Sequence, residues 1–326
     1  MNLFARFFGG SKKIKRVREN IAKRFDILGS VGNGSMSKVH RAMDRKLGRE
    51  VCLKILDKKQ HLALVSRFPG MERPEEGEVA VSLTHPNLVA TFDWGWTLQE
   101  EPFLVMEMIK GTGLNFFADT EGKSPLNRRL DFLLQAADGL SYFHQQGYIH
   151  RDISPKNIMV TDHGIAKIID FGLCVPNKPA FRRPGNRTGT LRYMAPELIR
   201  RSSTDERIDV FSFGVTAYEV LTGSIPWEGA GESMQEALQH VNVTGRDPRE
   251  VNPHLDATAA EILLKGIARD PNERYRSMRE FADALKLLEP KVVRTSPTKL
   301  APAESPPGQP AKKGVTKSKS ARPPSG

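Results

Sequence analysis

His150-Arg151-Asp152-Ile153-Ser154-Pro155-Lys156-Asn157, with Asp170-Phe171-Gly172 thirteen residues after Asn157, sets two acids, an amide and two cations on loops between short apolar runs. Asn and Asp oxygens are the hard donors that Mg2+ prefers, and an unpaired Asp can take a hydroxyl proton. Either segment alone could be an ordinary turn. Their meaning depends on what precedes them.

Upstream, Val51-Cys52-Leu53-Lys54 reads as a half-buried strand in which Val51, Leu53 and Ile55 alternate with Cys52, Lys54 and Leu56. A lysine on such a strand needs an anionic partner, because an unpaired buried charge costs several kcal/mol. A phosphate and a carboxylate would supply two. Further upstream lies Gly32-Asn33-Gly34-Ser35-Met36-Ser37-Lys38-Val39, after the strand Phe25 to Leu28. Its glycines let backbone amides approach an anion with no side chain between. Common hairpins also carry such turns, so the ordered series of glycine loop, strand lysine and two acidic loops is the informative feature.

The surrounding pattern divides in two. Phe25 to Leu104 is mostly short strands, whereas from Arg128 the period is helical, with Leu130, Leu133, Leu134, Ala137, Leu140 and His144 on one face and Gly147 as C-cap. Further helical stretches run from Val210 to Leu221 and from Ala257 to Leu288. A strand-rich part followed by a helix-rich part predicts two lobes with a cleft between them. No internal repeat is apparent.

Of 326 residues 39% are hydrophobic and 27% charged, the balance of a globular protein. The net charge of +11 is carried by the ends: residues 1–24 and 291–326 each contribute +7, which leaves −3 between them. A nucleic-acid-binding face on the folded part is therefore not implied, and no specific nucleic acid is expected. Cys52 and Cys174 form neither a disulfide framework nor a paired metal motif, and no run of about 18 apolar residues exists. A reducing, cytoplasmic location is expected. Residues 1–24 read as a basic leader, in which Leu3, Phe4, Phe7 and Phe8 precede a lysine-arginine run. A frayed leader or a strip packed on the domain fits that composition best, with weak membrane-surface contact through residues 1–18 as the alternative. Residues 289–326 read as a disordered tail rich in Pro, Ser and Lys, in which Pro307-Gly308-Gln309-Pro310 is a chance match to a Pro-x-x-Pro ligand.

Together these residues resemble the eukaryotic-type protein kinase family, serine/threonine class, and in particular its bacterial members; the match runs from about Arg24 to Leu288. The resemblance implies an α+β, bilobal fold: a small antiparallel N-lobe with one main helix (about 25–106) and a larger, mainly helical C-lobe (about 110–288). It implies ATP and Mg2+ as cofactors and proteins bearing Ser or Thr as substrates. Gly32, Asn33, Gly34, Ser35, Met36, Ser37, Lys38 and Val39 would form the loop over the phosphates. Lys54 would pair the α- and β-phosphates, and Glu76, ten residues before the Pro of His85-Pro86-Asn87, would hold Lys54. Met106 would be the gatekeeper, with the backbone of Glu107 and Ile109 bonding adenine, where side-chain identity matters little. Val31, Val39, Cys52 and Met159 match the positions that sandwich the ring. Asp152 would orient the acceptor hydroxyl and take its proton, with Asn157 and Asp170 as the Mg2+ ligands. His150 and Phe171 read as packing. Glu197 paired with Arg274, and Asp209 bracing the catalytic loop, would be structural.

Some positions depart from the family. Ser37 replaces the usual third glycine. Ser154 stands where most serine/threonine kinases place a lysine, and Lys156 is the expected substitute. Thr190 matches a threonine that touches the catalytic aspartate in the serine/threonine class. Arg151 resembles the arginine of kinases switched on by phosphorylation of the activation segment, and Thr188 is the one hydroxyl between Gly172 and Gly189. Autophosphorylation at Thr188 is therefore expected, against a loop held by its own Arg182, Arg183 and Arg187. The alternative of another class is a pseudokinase, a nucleotide-binding scaffold; the presence of Lys54, Asp152, Asn157 and Asp170 speaks against it. A small-molecule phosphotransferase would lack Ala195-Pro196-Glu197.

Overall fold

The computed structural model describes residues 18–33, 37–119, 124–184, 187–227 and 233–288. The expectations for the start of the leader, for Gly34, Ser35 and Met36, and for the tail fall outside these residues. Among the described residues no helix is long and apolar enough to cross a membrane.

The N-lobe contains β1 (Arg18–Glu19), the single turn α1 (Ile21–Arg24), β2 (Phe25–Asn33), β3 (Ser37–Asp44) and β4 (Arg49–Leu56). Next come α2 (Lys58–Val65), α3 (Glu76–Ser82), β5 (Thr91–Thr97) and β6 (Pro102–Glu107). The six strands form one sheet in the order β1-β5-β6-β4-β3-β2, with β1 parallel to β5 and the other neighbours antiparallel. On β4, Val51 and Leu53 face a buried cluster with Phe25, Ala42, Phe103 and Val105, so the alternation read from the sequence turns Cys52 and Lys54 to the other face.

The lobe starts earlier than the sequence suggested. Residues 18–24, assigned to a basic leader, are part of the sheet and its flank: Arg18 and Glu19 pair with Trp96 and Thr97. Arg24, 6% exposed, sits 2.8 Å from both Asp44 and Asp93. Counted as charges these residues look solvated, but Arg24 is held by acids far along the chain, which offset the cost of burying its charge.

The C-lobe contains β7 (Gly111–Gly113), α4 (Asn115–Asp119), α5 (Leu126–Gln145), β8 (Tyr148–Ile149), β9 (Ile158–Thr161), β10 (Ala166–Ile168) and β11 (Val175–Pro176). After these lie α6 (Pro196–Ile199), α7 (Arg207–Thr222), α8 (Met234–Ala237), α9 (Gln239–Asn242), α10 (Pro248–Val251), α11 (Ala257–Gly266) and α12 (Met278–Lys286). On α5, Leu130, Leu133, Ala137 and Leu140 are buried, and the helix ends where Gly147 takes a left-handed φ of 83°. Buried nearly all round, α7 forms the centre of the lobe, with α5, α11 and α12 packed on it.

Two short ladders position the chemistry. β8 pairs with β11 and β9 with β10, so loops 150–157 and 169–174 run between the same two pairs of strands. The backbone fixes them further, since Ile169 N–H donates to Asn157 C=O at 2.9 Å.

Candidate active site

Lys54 lies on β4 and Glu76 opens α3. The Lys54 ammonium is 2.7 Å from Glu76 Oε1 and 2.8 Å from Asp170 Oδ1, so three residues far apart in sequence meet at one nitrogen. Burial alone would lower the lysine pKa, but Asp170 and Glu76 more than offset it and hold the ammonium charged. Burial pushes the Glu76 carboxyl up despite Lys54, whereas Asp170 is drawn below its ordinary value by Lys54 against its own desolvation. A capping box fixes the start of α3: the Glu75 side chain accepts from the Glu78 N–H while Glu78 reaches back to the Glu75 N–H.

Asp152 is held from two sides. Asn157 Nδ2 donates to its carbonyl at 2.7 Å and to its Oδ2 at 3.0 Å. Thr190 gives Oδ1 both its backbone N–H and its hydroxyl, each at 2.8 Å. Beneath the loop, fully buried Asp209 accepts from the His150 and Arg151 N–H groups at 2.7 and 2.8 Å and contacts His144 Nε2 at 2.8 Å. His150 is fully buried, as expected for packing, and Phe171, 1% exposed, stacks on Phe143 at 5.5 Å.

Arg151 and Asp170 both adopt left-handed φ, 70° and 87°. For a non-glycine residue that backbone costs on the order of 1–3 kcal/mol and persists only where neighbours enforce it. Asp209 enforces it at Arg151; at Asp170, Lys54 and the Gly172 N–H grip Oδ1.

The donor set suits a divalent cation bound with phosphate. The amide nitrogen of Asn157 is spent on Asp152, which leaves its Oδ1 as an acceptor, and Asp170 keeps Oδ2 uncommitted among the described residues. Two hard oxygens are what Mg2+ asks of a protein when substrate phosphates and water complete its shell. No group of three His, Cys, Asp or Glu side chains that could hold a metal alone occurs among the described residues.

Four of the candidate positions share one face of the N-lobe sheet. Register pairs Val39 with Lys54, and Cys52 with Met106, so these four side chains share a face. Gly32 pairs with Val39 and Asn33 with Lys38, and Val31 is 52% exposed. Ser37 begins β3, and Met159 is half-buried on β9. Ile109 has neither its N–H nor its C=O tied to another backbone group among the described residues, whereas the Glu107 N–H donates to Ala90 C=O at 2.9 Å. Lys156 is exposed on a 3-10 turn of residues 155–157, and Thr188 is 4% exposed.

Sequence reasoning missed two features. The Glu107 carboxylate accepts from the Ala90 N–H at 2.7 Å and pairs with Lys167 at 2.8 Å, tying β6 to the C-lobe, so that side chain has a structural task. Arg73 donates to the carbonyls of Gly172 and Cys174 and fastens the approach to α3 onto the Asp170 loop. Neither belongs to a local period or a short motif.

A two-lobed α+β fold whose strand lysine meets a helix glutamate and a loop aspartate, beside a second aspartate clasped by Asn157 and Thr190, is that of a protein kinase. The chain matches the protein kinase domain family over residues 25–285 and belongs to it. It is 31% identical over 276 residues to the serine/threonine-protein kinase PknB of Mycobacterium leprae, covering 82% of this chain and 43% of that protein. It is 33% identical over 281 residues to the PknB of Mycobacterium tuberculosis (82% and 43%) and 30% over 271 to a probable serine/threonine-protein kinase of Clostridium perfringens (82% and 38%). The chain thus spans about two fifths of the length of these relatives.

Proposed function

We propose that this chain is an active serine/threonine protein kinase, transferring the γ-phosphoryl group of Mg-ATP to serine or threonine hydroxyls of protein substrates. The observation that carries the proposal is the fixed Asp152 carboxylate, with Lys54 tied to both Glu76 and Asp170 beside it. Lys54 would hold the α- and β-phosphates. Mg2+, bound by Asn157 and Asp170, would neutralise charge on the phosphate oxygens. Asp152 would align the acceptor hydroxyl and receive its proton. The Thr190 contact and the similarity to kinases named for serine and threonine support that acceptor class. The two unpaired thiols fit a cytoplasmic setting.

Lys156, exposed and without an ion pair among the described residues, would supply the cation for the transferred phosphoryl group. Lys156→Ala should lower kcat about tenfold or more with little effect on the KM for ATP; a change within about threefold removes it from the mechanism. Autophosphorylation at Thr188 would require that residue to leave its buried position.

The direct test incubates the full chain with labelled ATP, Mg2+ and a generic protein acceptor beside Asp152→Asn. Label on serine and threonine with wild type alone supports the proposal. Nucleotide binding without transfer would make the chain a scaffold, and label on tyrosine would overturn the acceptor class.

A further inference from the structure

Phe68, in the connection between α2 and α3, and Phe181, in the segment after Gly172, are 3% and 6% exposed with ring centroids 5.9 Å apart. Two guanidinium carbons lie against the Phe68 ring, Arg73 at 5.8 Å and Arg151 at 6.0 Å from its centroid. Arg151 Nη2 donates to the Phe181 carbonyl at 2.9 Å, while its Nε and Nη1 are buried with no hydrogen-bond partner among the described residues. Arg73 donates to the carbonyls of Gly172 and Cys174. Neither arginine forms an ion pair among the described residues. A buried cation is thus met by a carbonyl and a ring face in place of an anion.

This cluster touches each part of the candidate site. Arg151 precedes Asp152, Gly172 follows Asp170 by two residues, and Arg73 precedes Glu76 by three. Beyond Phe181, the Arg182 carbonyl accepts from the Thr204 N–H and the Ser203 hydroxyl, each at 3.0 Å, and Arg182 Nε donates to Asn177 Oδ1 at 2.9 Å. The segment is therefore anchored at its middle by its own backbone. Thr188, the one hydroxyl between Gly172 and Gly189, is buried with no hydrogen-bond partner among the described residues.

On the kinase reading above, we propose that Phe181 and Phe68 are positioning residues which, in the unmodified chain, hold residues 173–184 and the approach to α3 against Arg151, so that catalysis needs no phosphate on Thr188. The aromatic pair replaces by apolar packing the fastening that a phosphate would give by charge. Such packing is insensitive to salt and phosphatase.

The test uses the full chain after phosphatase treatment, with mass spectrometry showing Thr188 unmodified. Treated wild type and Thr188→Val should keep kcat within about twofold. Phe181→Ala should lower kcat about tenfold or more with a smaller change in the KM for ATP, and Phe181→Leu should recover most of the loss. A general folding defect would instead lower active-site concentration in both variants and leave kcat per active site unchanged. Hydrogen exchange gives a readout independent of turnover: the amides of 173–184 should be protected in treated wild type and open in Phe181→Ala. Loss of protection or activity on phosphatase treatment, or a Phe181→Ala variant with wild-type kcat and protection, overturns the proposal. Protected amides in a chain that phosphorylates no acceptor would leave the fastening in place and sink the kinase reading instead.

Discussion

Thr190 delivers two hydrogen bonds to one oxygen of Asp152, from its N–H and its hydroxyl, both at 2.8 Å. The approach depends on Gly189, whose φ is 119° and whose added Cβ would lie 2.4 Å from the Arg151 carbonyl. Activation segment and catalytic loop are thus joined at the carboxylate itself, and a residue that reads as an acceptor-class marker in the sequence is also a brace.

Thr190→Val keeps the backbone bond and removes the hydroxyl bond. A hydrogen bond to a charged group contributes about 1.5–3 kcal/mol, so kcat should fall about tenfold or more while the KM for ATP stays within about twofold. Thr190→Ser should stay near wild type. A valine variant with unchanged kcat in steady-state assays would show the contact to be idle.

Lys54 and Glu76 are both 6% exposed, and Glu76 Oε2 has no hydrogen-bond partner among the described residues. Lys54→Met leaves a buried carboxylate without its cation, and breaking a buried pair on one side costs about 3–5 kcal/mol. The single variant should therefore unfold at a lower urea midpoint than the double variant Lys54→Met/Glu76→Gln. Equal midpoints would mean that Asp170 alone sets the cost.

Arg274, 2% exposed, makes two bonds to Glu197 at 2.7 and 2.8 Å and donates to the carbonyls of Ala268, Arg207 and Arg269. No lysine can reproduce that planar fork. Arg274→Lys should lose about 3 kcal/mol or more of unfolding free energy by urea titration, and a loss under about 1 kcal/mol would contradict the assignment.

The convergence of the candidate site was legible because each of its parts sits in a short motif whose residue types have no bland role together: Lys54 in an apolar strand, Asp152 and Asn157 in one loop, Asp170 before Phe-Gly. Glu76 was reached by spacing, and it lies 2.7 Å from Lys54. What escaped was long-range pairing without a periodic signature. Arg24 with Asp44 and Asp93 looked like part of a solvated basic leader, and Glu107 with Lys167 like an indifferent hinge position. Phe68 and Phe181 are single aromatics in irregular segments, and only the folded chain places their rings together.

The two thiols should be inert in the native protein. Burial pushes Cys52 up to about 11 and Cys174 to about 12, so hardly any thiolate exists at pH 7.5. Iodoacetamide should modify both slowly in native protein and rapidly in urea. Fast native labelling of Cys52 would show that its face of the sheet is more open than the structure has it.

Stability should fall on mild acidification through His150 and then further through Asp209. His150 and His240 are fully buried, and desolvation holds both below the ordinary imidazole value of 6.5. In the unfolded chain they take a proton near 6.5, in the folded chain only at lower pH, so the unfolded state binds more protons as pH drops past about 6.5. That contribution is complete above 6.5 and diminishes below it. Asp209 is pushed up by burial, but His144 and the loop N–H groups more than offset this and keep it below its ordinary 3.8; its contribution is present above the usual carboxylate range and is lost as pH falls through and below it. Urea midpoints should therefore be flat between about pH 7 and 8, decline from about 6.5, and decline more steeply below about 4. His150→Phe, which cannot titrate, should make the arm between about pH 5 and 6.5 shallower, with His240 carrying the remainder, and leave the lower arm in place. An unchanged slope in that variant would mean that His150 does not contribute to the acid limit of this fold.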